Sequence, residues 1–202
     1  MDEGLRDTGY IEKTVWLYKR TRQILLKTEE FFADEFGTFM QPKLEFSYAF
    51  DHMVLFLSLE PADEEKCEKV AYDVYKHVHR AFFETADWVC RKVKKSIDKE
   101  MGRYSFDTIR AAIPNYYSEI RLDVMKVSKQ VALYREQKSL LFEDEVIIGY
   151  VELVYKLFEH YEQIVIAKES LIELHKKEKR RQLFPWLIAL LSLAVAIASL
   201  LL

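Results

Sequence analysis

The sequence predicts an all-α fold, an up-and-down bundle of about five long helices followed by one C-terminal transmembrane helix. Three observations predict it. Only five Gly and four Pro stand among 202 residues, against roughly 12% in average usage, so long uninterrupted elements are expected. Apolar residues recur at three- and four-residue spacing over most of the chain, the pattern of helices that each bury one face. Residues 183–202 read LFPWLIALLSLAVAIASLLL without a charge, and at about 1.5 Å per residue that length matches a hydrocarbon core of roughly 30 Å.

The few helix breakers delimit the elements. Segment one covers residues 10–36, capped by Asp7 or Thr8 and stopped by Gly37, with Ile11, Val15, Tyr18, Leu25, Phe32 and Phe36 on its apolar side. Segment two, residues 43–59 after Pro42, is apolar nearly all round through Phe46, Tyr48, Phe50, Met53, Val54, Leu55, Phe56 and Leu57, and is expected to be the most buried helix. The alternation of Leu44, Phe46, Tyr48 and Phe50 also fits a short strand, for which no partner strand is evident. Segment three begins at Pro61, with Asp63, Glu64 and Glu65 where carboxylates suit the helix dipole, and runs to about Met101 before Gly102. Its expected buried stripe is Val70, Val74, Val78, Ala81, Thr85, Trp88 and Val93.

A linker holding a short helix around residues 107–113 precedes segment four. Pro114 and Asn115 start that segment, whose stripe is Tyr116, Ile120, Val124, Val127, Val131, Tyr134 and Leu141. Segment five, residues 145–182, repeats Ile147, Val151, Val154, Phe158, Tyr161, Val165 and Ile172 at close to 3.5 residues. It is expected to continue as one rod into a basic neck. Residues 1–175 therefore read as a cytosolic helical bundle, 176–182 as a basic juxtamembrane neck and 183–202 as a membrane anchor.

Charge supports that division. The formal net charge is −3, yet Lys176, Lys177, Lys179, Arg180 and Arg181 crowd around a single Glu178, so the neck is basic and the body mildly acidic. A basic run beside a span stays on the cytoplasmic side and contacts anionic headgroups, while Trp186 suits the interface. Residues 1–7 are acidic and polar and no apolar stretch follows them, unlike a secretory leader. The expected topology is single-pass and tail-anchored, with the N-terminal domain in the cytosol. Cys67 and Cys90 fall on one helix, too far apart to bridge each other, so reduced thiols are expected.

Chemistry-bearing patterns are sparse. No pair of glycines belongs to a complete phosphate-cradling motif, and no Ser, Cys or Thr sits in a nucleophile motif. Among His52, His77, His79, His160 and His175 no two share a helical ligand spacing; Asp73 and His77 do, without a third ligand to join them. No catalytic residue, cofactor or metal is nominated. Arg91, Lys92, Lys94, Lys95, Lys99 and Arg103 form a basic end to segment three that could meet phosphates of RNA or of headgroups; cation placement at a helix C-terminus is the structural account of the same residues. In the anchor, Ala189, Ser192, Ala196 and Ser199 recur at steps of three, four and three, and such small-residue stripes let helices approach closely in lipid. A homo-oligomer packed through that stripe is the corresponding expectation.

The stretch His77-Val78-His79-Arg80-Ala81-Phe82-Phe83-Glu84, following Tyr72 and Tyr75 on a long helix, resembles the central helix of prokaryotic HEPN-like helical domains. The resemblance covers roughly residues 43–142. It implies a bundle of four or five helices and, in many members, a ribonuclease using an Arg followed four to six residues later by a His, several of them in antiviral defence. No Arg in this chain has a His at that distance. The resemblance thus implies a scaffold without its nuclease residues.

Three functions compete on the sequence. The first is a non-enzymatic, membrane-anchored helical module that self-associates or binds a protein partner, as an effector or accessory in antiviral defence. The second is a membrane-tethered HEPN-like ribonuclease with Arg91, Lys95 or Arg103 near the RNA. The third is a simple tail-anchored adaptor. The bilayer is a partner in all three.

Overall fold

The computed structural model of the chain describes residues 9–36, 40–136 and 144–201. Every regular element among them is helical: α1 (Gly9–Phe36), α2 (Gln41–Ser58), α3 (Glu64–Met101), α4 (Phe106–Ala112), a π-helical turn (Tyr116–Ile120) leading into α5 (Arg121–Glu136), α6 (Asp144–Ile166) and α7 (Lys168–Leu201). The strand considered at residues 44–50 is helix. Gly37 and Leu141, and the side chain of Phe36, lie outside the described residues.

Helix α1 buries Phe32 as expected but otherwise a different stripe from the expected one. Thr14, Leu17, Thr21, Ile24 and Thr28 are buried, whereas Val15 and Tyr18 are 44% and 43% exposed. Three threonines at seven-residue spacing can enter the seam because each hydroxyl donates to the carbonyl four residues earlier: Thr14 to Tyr10 at 2.7 Å, Thr21 to Leu17 at 2.8 Å and Thr28 to Ile24 at 2.6 Å. A buried hydroxyl satisfied within its own helix behaves as a small apolar group with a methyl. Thr21→Val is therefore expected to change stability by less than about 1 kcal/mol, because the carbonyl keeps its helical bond and no polar atom is orphaned; Thr21→Asp is expected to unfold the unit. Urea titration of the two variants checks this.

The expectation that α2 is the most buried helix is incorrect. Only Pro42, Glu45, Ala49 and Phe56 are buried on it, while Leu44, Tyr48, Phe50, Val54, Leu55 and Leu57 are 44–67% exposed. The helix packs through one face, where Phe56 joins Cys67, Val70 and Ala71, with Met53 and Leu59 against them. Its sequence carries more apolar surface than that single face can hide.

Helix α3 follows the expected stripe closely, with Val70, Val74, Val78, Ala81, Thr85 and Val93 all buried. Asp63 Oδ1 accepts from the Lys66 amide at 3.4 Å at its start, and its ladder closes with the Gly102 amide donating to Asp98. After Pro114 the chain forms the π turn, in which Asn115 O accepts from the amides of Glu119 and Ile120 at 2.9 and 3.4 Å. The wider ring turns Tyr116 and Ile120 inward ahead of Val124, Val127 and Val131.

The long segment five divides at Ala167 but its ladder does not stop. The Ala167 amide donates to Gln163 O at 3.0 Å and the Leu171 amide to Ala167 O at 2.9 Å. Among the described residues beyond Phe158 the buried apolar positions are Ile164 and Leu171, and the expected Val165 and Ile172 are exposed. That set keeps strict seven-residue register with Tyr150 and Leu157.

The chain forms two compact units. Met1–Lys92 with Ser128–Lys156 makes one, and Val93–Val127 with Leu157–Leu202 the other. The first has Leu17, Ile24, Val74, Phe82, Val89 and Tyr150 at its centre; the second has Ile97, Ile120, Leu157, Phe158, Ile164 and Leu171. Among the described residues no helix is long and apolar enough to cross a membrane; the side chains of residues 187 and 194–202 lie outside them.

Candidate functional site

The polar chemistry of the second unit gathers where α4 packs against α7. Ser105 caps α4, its hydroxyl oxygen accepting from the Thr108 amide at 3.2 Å. The same hydroxyl donates to Glu178 Oε2 at 2.7 Å, and Thr108 Oγ1 donates to that oxygen at 2.7 Å. Glu178 is the one carboxylate of the neck, and here it fastens the start of α4 to α7. The hydrogen bonds from Ser105 and Thr108 hold its carboxyl below the ordinary value of 4.5, with His175 adding to the effect.

Around this clamp, the Tyr104 ring meets His175 edge-on at 5.5 Å, and the Tyr104 hydroxyl donates to Glu100 at 3.2 Å. Burial, then the Glu100 charge, pushes that phenol up. His175 Nδ1 is buried with no hydrogen-bond partner among the described residues. Ala111, Ala112, Ser170, Glu173, Leu174 and Lys177 line an open groove of about 350 Å³ along the α4–α7 seam.

Lys176, Lys177, Lys179, Arg180 and Arg181 are all exposed. At 100° per residue, Lys176, Lys177, Arg180 and Arg181 fan over one side of α7 and Glu178 points to the other. Trp186 is exposed, as are Ala189 and Ser192 of the small-residue stripe; the side chains of Ala196 and Ser199 lie outside the described residues.

The Glu178 clamp has a pH signature. A carboxyl held low in the folded state stabilises fold above its ordinary value, and that contribution disappears as pH falls below it. Amide exchange of α4, corrected for intrinsic rates, is expected to quicken several-fold between pH 6 and pH 3.5. Glu178→Gln should show the fast rate at both pH values; equal α4 protection in the two proteins would remove the clamp.

The basic end of α3 is partly committed to internal partners. Arg91 Nε donates to Asp87 O at 3.2 Å, Lys92 lies over the Phe32 ring at 5.4 Å, Lys94 pairs with Asp98 and Arg103 with Glu100 at 2.9 Å. Lys95 and Lys99 are exposed one turn apart.

Asp73 and His77 separate to different partners. Asp73 binds Lys76 at 2.6 Å, and that bond lowers its pKa. His77 Nδ1 lies 2.8 Å from Glu45 Oε2 across the α2–α3 interface, with Gln41 Nε2 donating to Glu45 Oε1 at 3.3 Å and the His52 ring stacked on His77 at 5.2 Å. Among the described residues no group of three or more His, Cys, Asp or Glu could hold a metal. Both cysteines are buried, and burial, with Asp87 nearby, pushes the Cys90 thiol up, away from nucleophile character.

Sequence reasoning did not find three cross-helix polar contacts. These are Glu45 with His77, the buried His160 with Asp123 at 3.1 Å, and the Tyr150 hydroxyl with Asp87. Their members stand 32, 37 and 63 positions apart, so no local spacing announces them. Glu45 alone left a trace, as a carboxylate inside an otherwise apolar stretch. The first unit also holds a cavity of about 310 Å³ lined by Trp16, Leu17, Tyr75, Ile147 and Ile148, with Glu12 and Lys13 at it.

No family model, curated protein or solved structure matches this chain. The likeness to HEPN-like domains rests on the residues quoted for it.

Proposed function

We propose that this protein is a membrane-anchored, non-enzymatic helical module that self-associates and engages a protein partner, with its bundle on the cytosolic side and residues 183–202 in the bilayer. The observation that carries the reading is the course of α7. One helix leaves the Glu178 clamp, displays five exposed cations and continues into a run without charge. A basic segment beside an apolar span combines the topology signal with attraction to anionic headgroups, worth about 1 kcal/mol per cation near the surface. Such an anchor holds the bundle close to the membrane, where local concentration favours assembly. The HEPN-like resemblance adds a setting, an accessory or effector in antiviral defence.

Flotation of the full chain with vesicles, followed by an alkaline wash, tests the anchor. Retention after the wash is the expected result; release by the wash would mean that the neck binds headgroups without a span.

A further inference from the structure

We propose that the exposed face of α2 is a self-pairing surface, covered in the assembled protein by the same face of a second copy running antiparallel to it. This deepens the self-association half of the reading above and does not depend on the anchor.

The face is defined by Phe46, Phe50, Val54 and Leu57, at steps of four, four and three along α2, the repeat that aligns side chains into one seam. Phe50 is 67% exposed, Val54 52% and Leu57 66%. Tyr18 of α1, 43% exposed, extends it by meeting the Phe46 ring edge-on at 5.3 Å. With large aromatics contributing about 150–250 Å² when open, Phe50, Val54, Leu57 and Tyr18 leave roughly 500 Å² of largely apolar surface in water. That equals the upper range for the largest patch on a typical monomer, about 300–600 Å². It is also close to the apolar share, a little over half, of the ~800 Å² that each partner gives to a standard interface.

The order of residues selects a second copy. Reflection of the face about Phe50 places Phe46 on Val54 of the second copy, Phe50 on itself, and the end bearing Lys43 against the end bearing Leu57 and Glu60. Apolar residues meet apolar residues across the centre, Lys43 stands over Leu57, three residues from Glu60, at either end, and one dyad closes the contact, as an isologous interface requires. Parallel pairing would stack Lys43 on Lys43 instead. Asp51 stands beside the seam with Ser47 and Ser58, where it forms part of a polar rim.

Single-cysteine crosslinking of the full chain in detergent tests the surface, since Cys67 and Cys90 are 3% and 1% exposed and stay silent under mild oxidation. Phe50→Cys places a thiol on the dyad, where two Cβ atoms come within disulfide reach; Leu57→Cys lies far from its counterpart in an antiparallel pair, and Leu55→Cys sits on the opposite flank. The expected result is a disulfide dimer for Phe50→Cys alone. No dimer for Phe50→Cys, or equal yields at Leu57→Cys or Leu55→Cys, would overturn the proposal. All three positions are exposed, so folding is not at stake, and circular dichroism confirms it. Sedimentation of the unmodified chain separates the two ideas: a defined oligomer with no Phe50→Cys crosslink removes the α2 surface and keeps self-association, whereas a monomer at tens of micromolar removes both. Phe50→Glu is expected to raise the dimer dissociation constant at least tenfold.

Discussion

Leu190→Arg combined with Leu193→Arg is expected to move the protein from washed membranes to the soluble fraction. Each arginine near the middle of a span opposes insertion by about 2.5–3.5 kcal/mol, so the pair opposes it by roughly 5–7 kcal/mol. Both residues lie inside the charge-free run of residues 183–202 and are exposed on α7, so neither change removes packing from the bundle. The matched control is Leu122→Arg with Met125→Arg on α5, two positions of similar exposure outside the run, which should leave membrane retention unchanged. If the α7 pair still resists an alkaline wash, the run is not what holds the protein. Truncation before Leu183 offers a second readout: the remaining chain should be soluble and helical. Loss of helicity on truncation would mean that the run packs as core.

Phe82→Ala is expected to destabilise the first unit by about 3–5 kcal/mol, a large part of the 5–15 kcal/mol typical of a folded protein. The Phe82 side chain is fully buried, in edge contact with Phe83 at 5.1 Å and Tyr150 at 6.1 Å. The Tyr150 hydroxyl is tied to Asp87, so that ring cannot easily turn into the cavity, and the site relaxes little. Urea unfolding with an unchanged slope and a lowered midpoint is the signature of lost packing. Phe82→Leu, which keeps most of the volume, should lose under half as much. A loss below about 1 kcal/mol for Phe82→Ala would show that the core around Tyr150 closes over the gap.

Much of the helical layout was legible because it is written in local terms. The stripe of α3 and the start of the π turn at Asn115 obey spacing and breaker rules acting over a few residues, and those rules hold in the structure. The misreadings share one cause. In α1, Val15 and Tyr18 are more apolar than Thr14 and Thr21, yet the threonines are buried, because a hydroxyl bonded to its own helix loses its polar penalty. In α2, hydrophobicity alone indicated burial, but burial requires a neighbour on each face, and α2 has one packed face. Along α6 and α7 the seam keeps a seven-residue register through Leu157, Ile164 and Leu171, so Val165 and Ile172 turn outward although their residue types favour the interior.

The sequence by itself determined the all-helical class, most of the helix boundaries and the charge-free run behind a basic neck, since each depends on propensity, periodicity or composition within a few turns. Only the tertiary structure decided that Glu178 turns away from its basic neighbours to hold Ser105 and Thr108, that His77 pairs with Glu45 rather than Asp73, and that α2 leaves Phe50, Val54 and Leu57 in water. Those outcomes depend on which faces meet, and residues 32 to 73 positions apart meet only once the helices have packed.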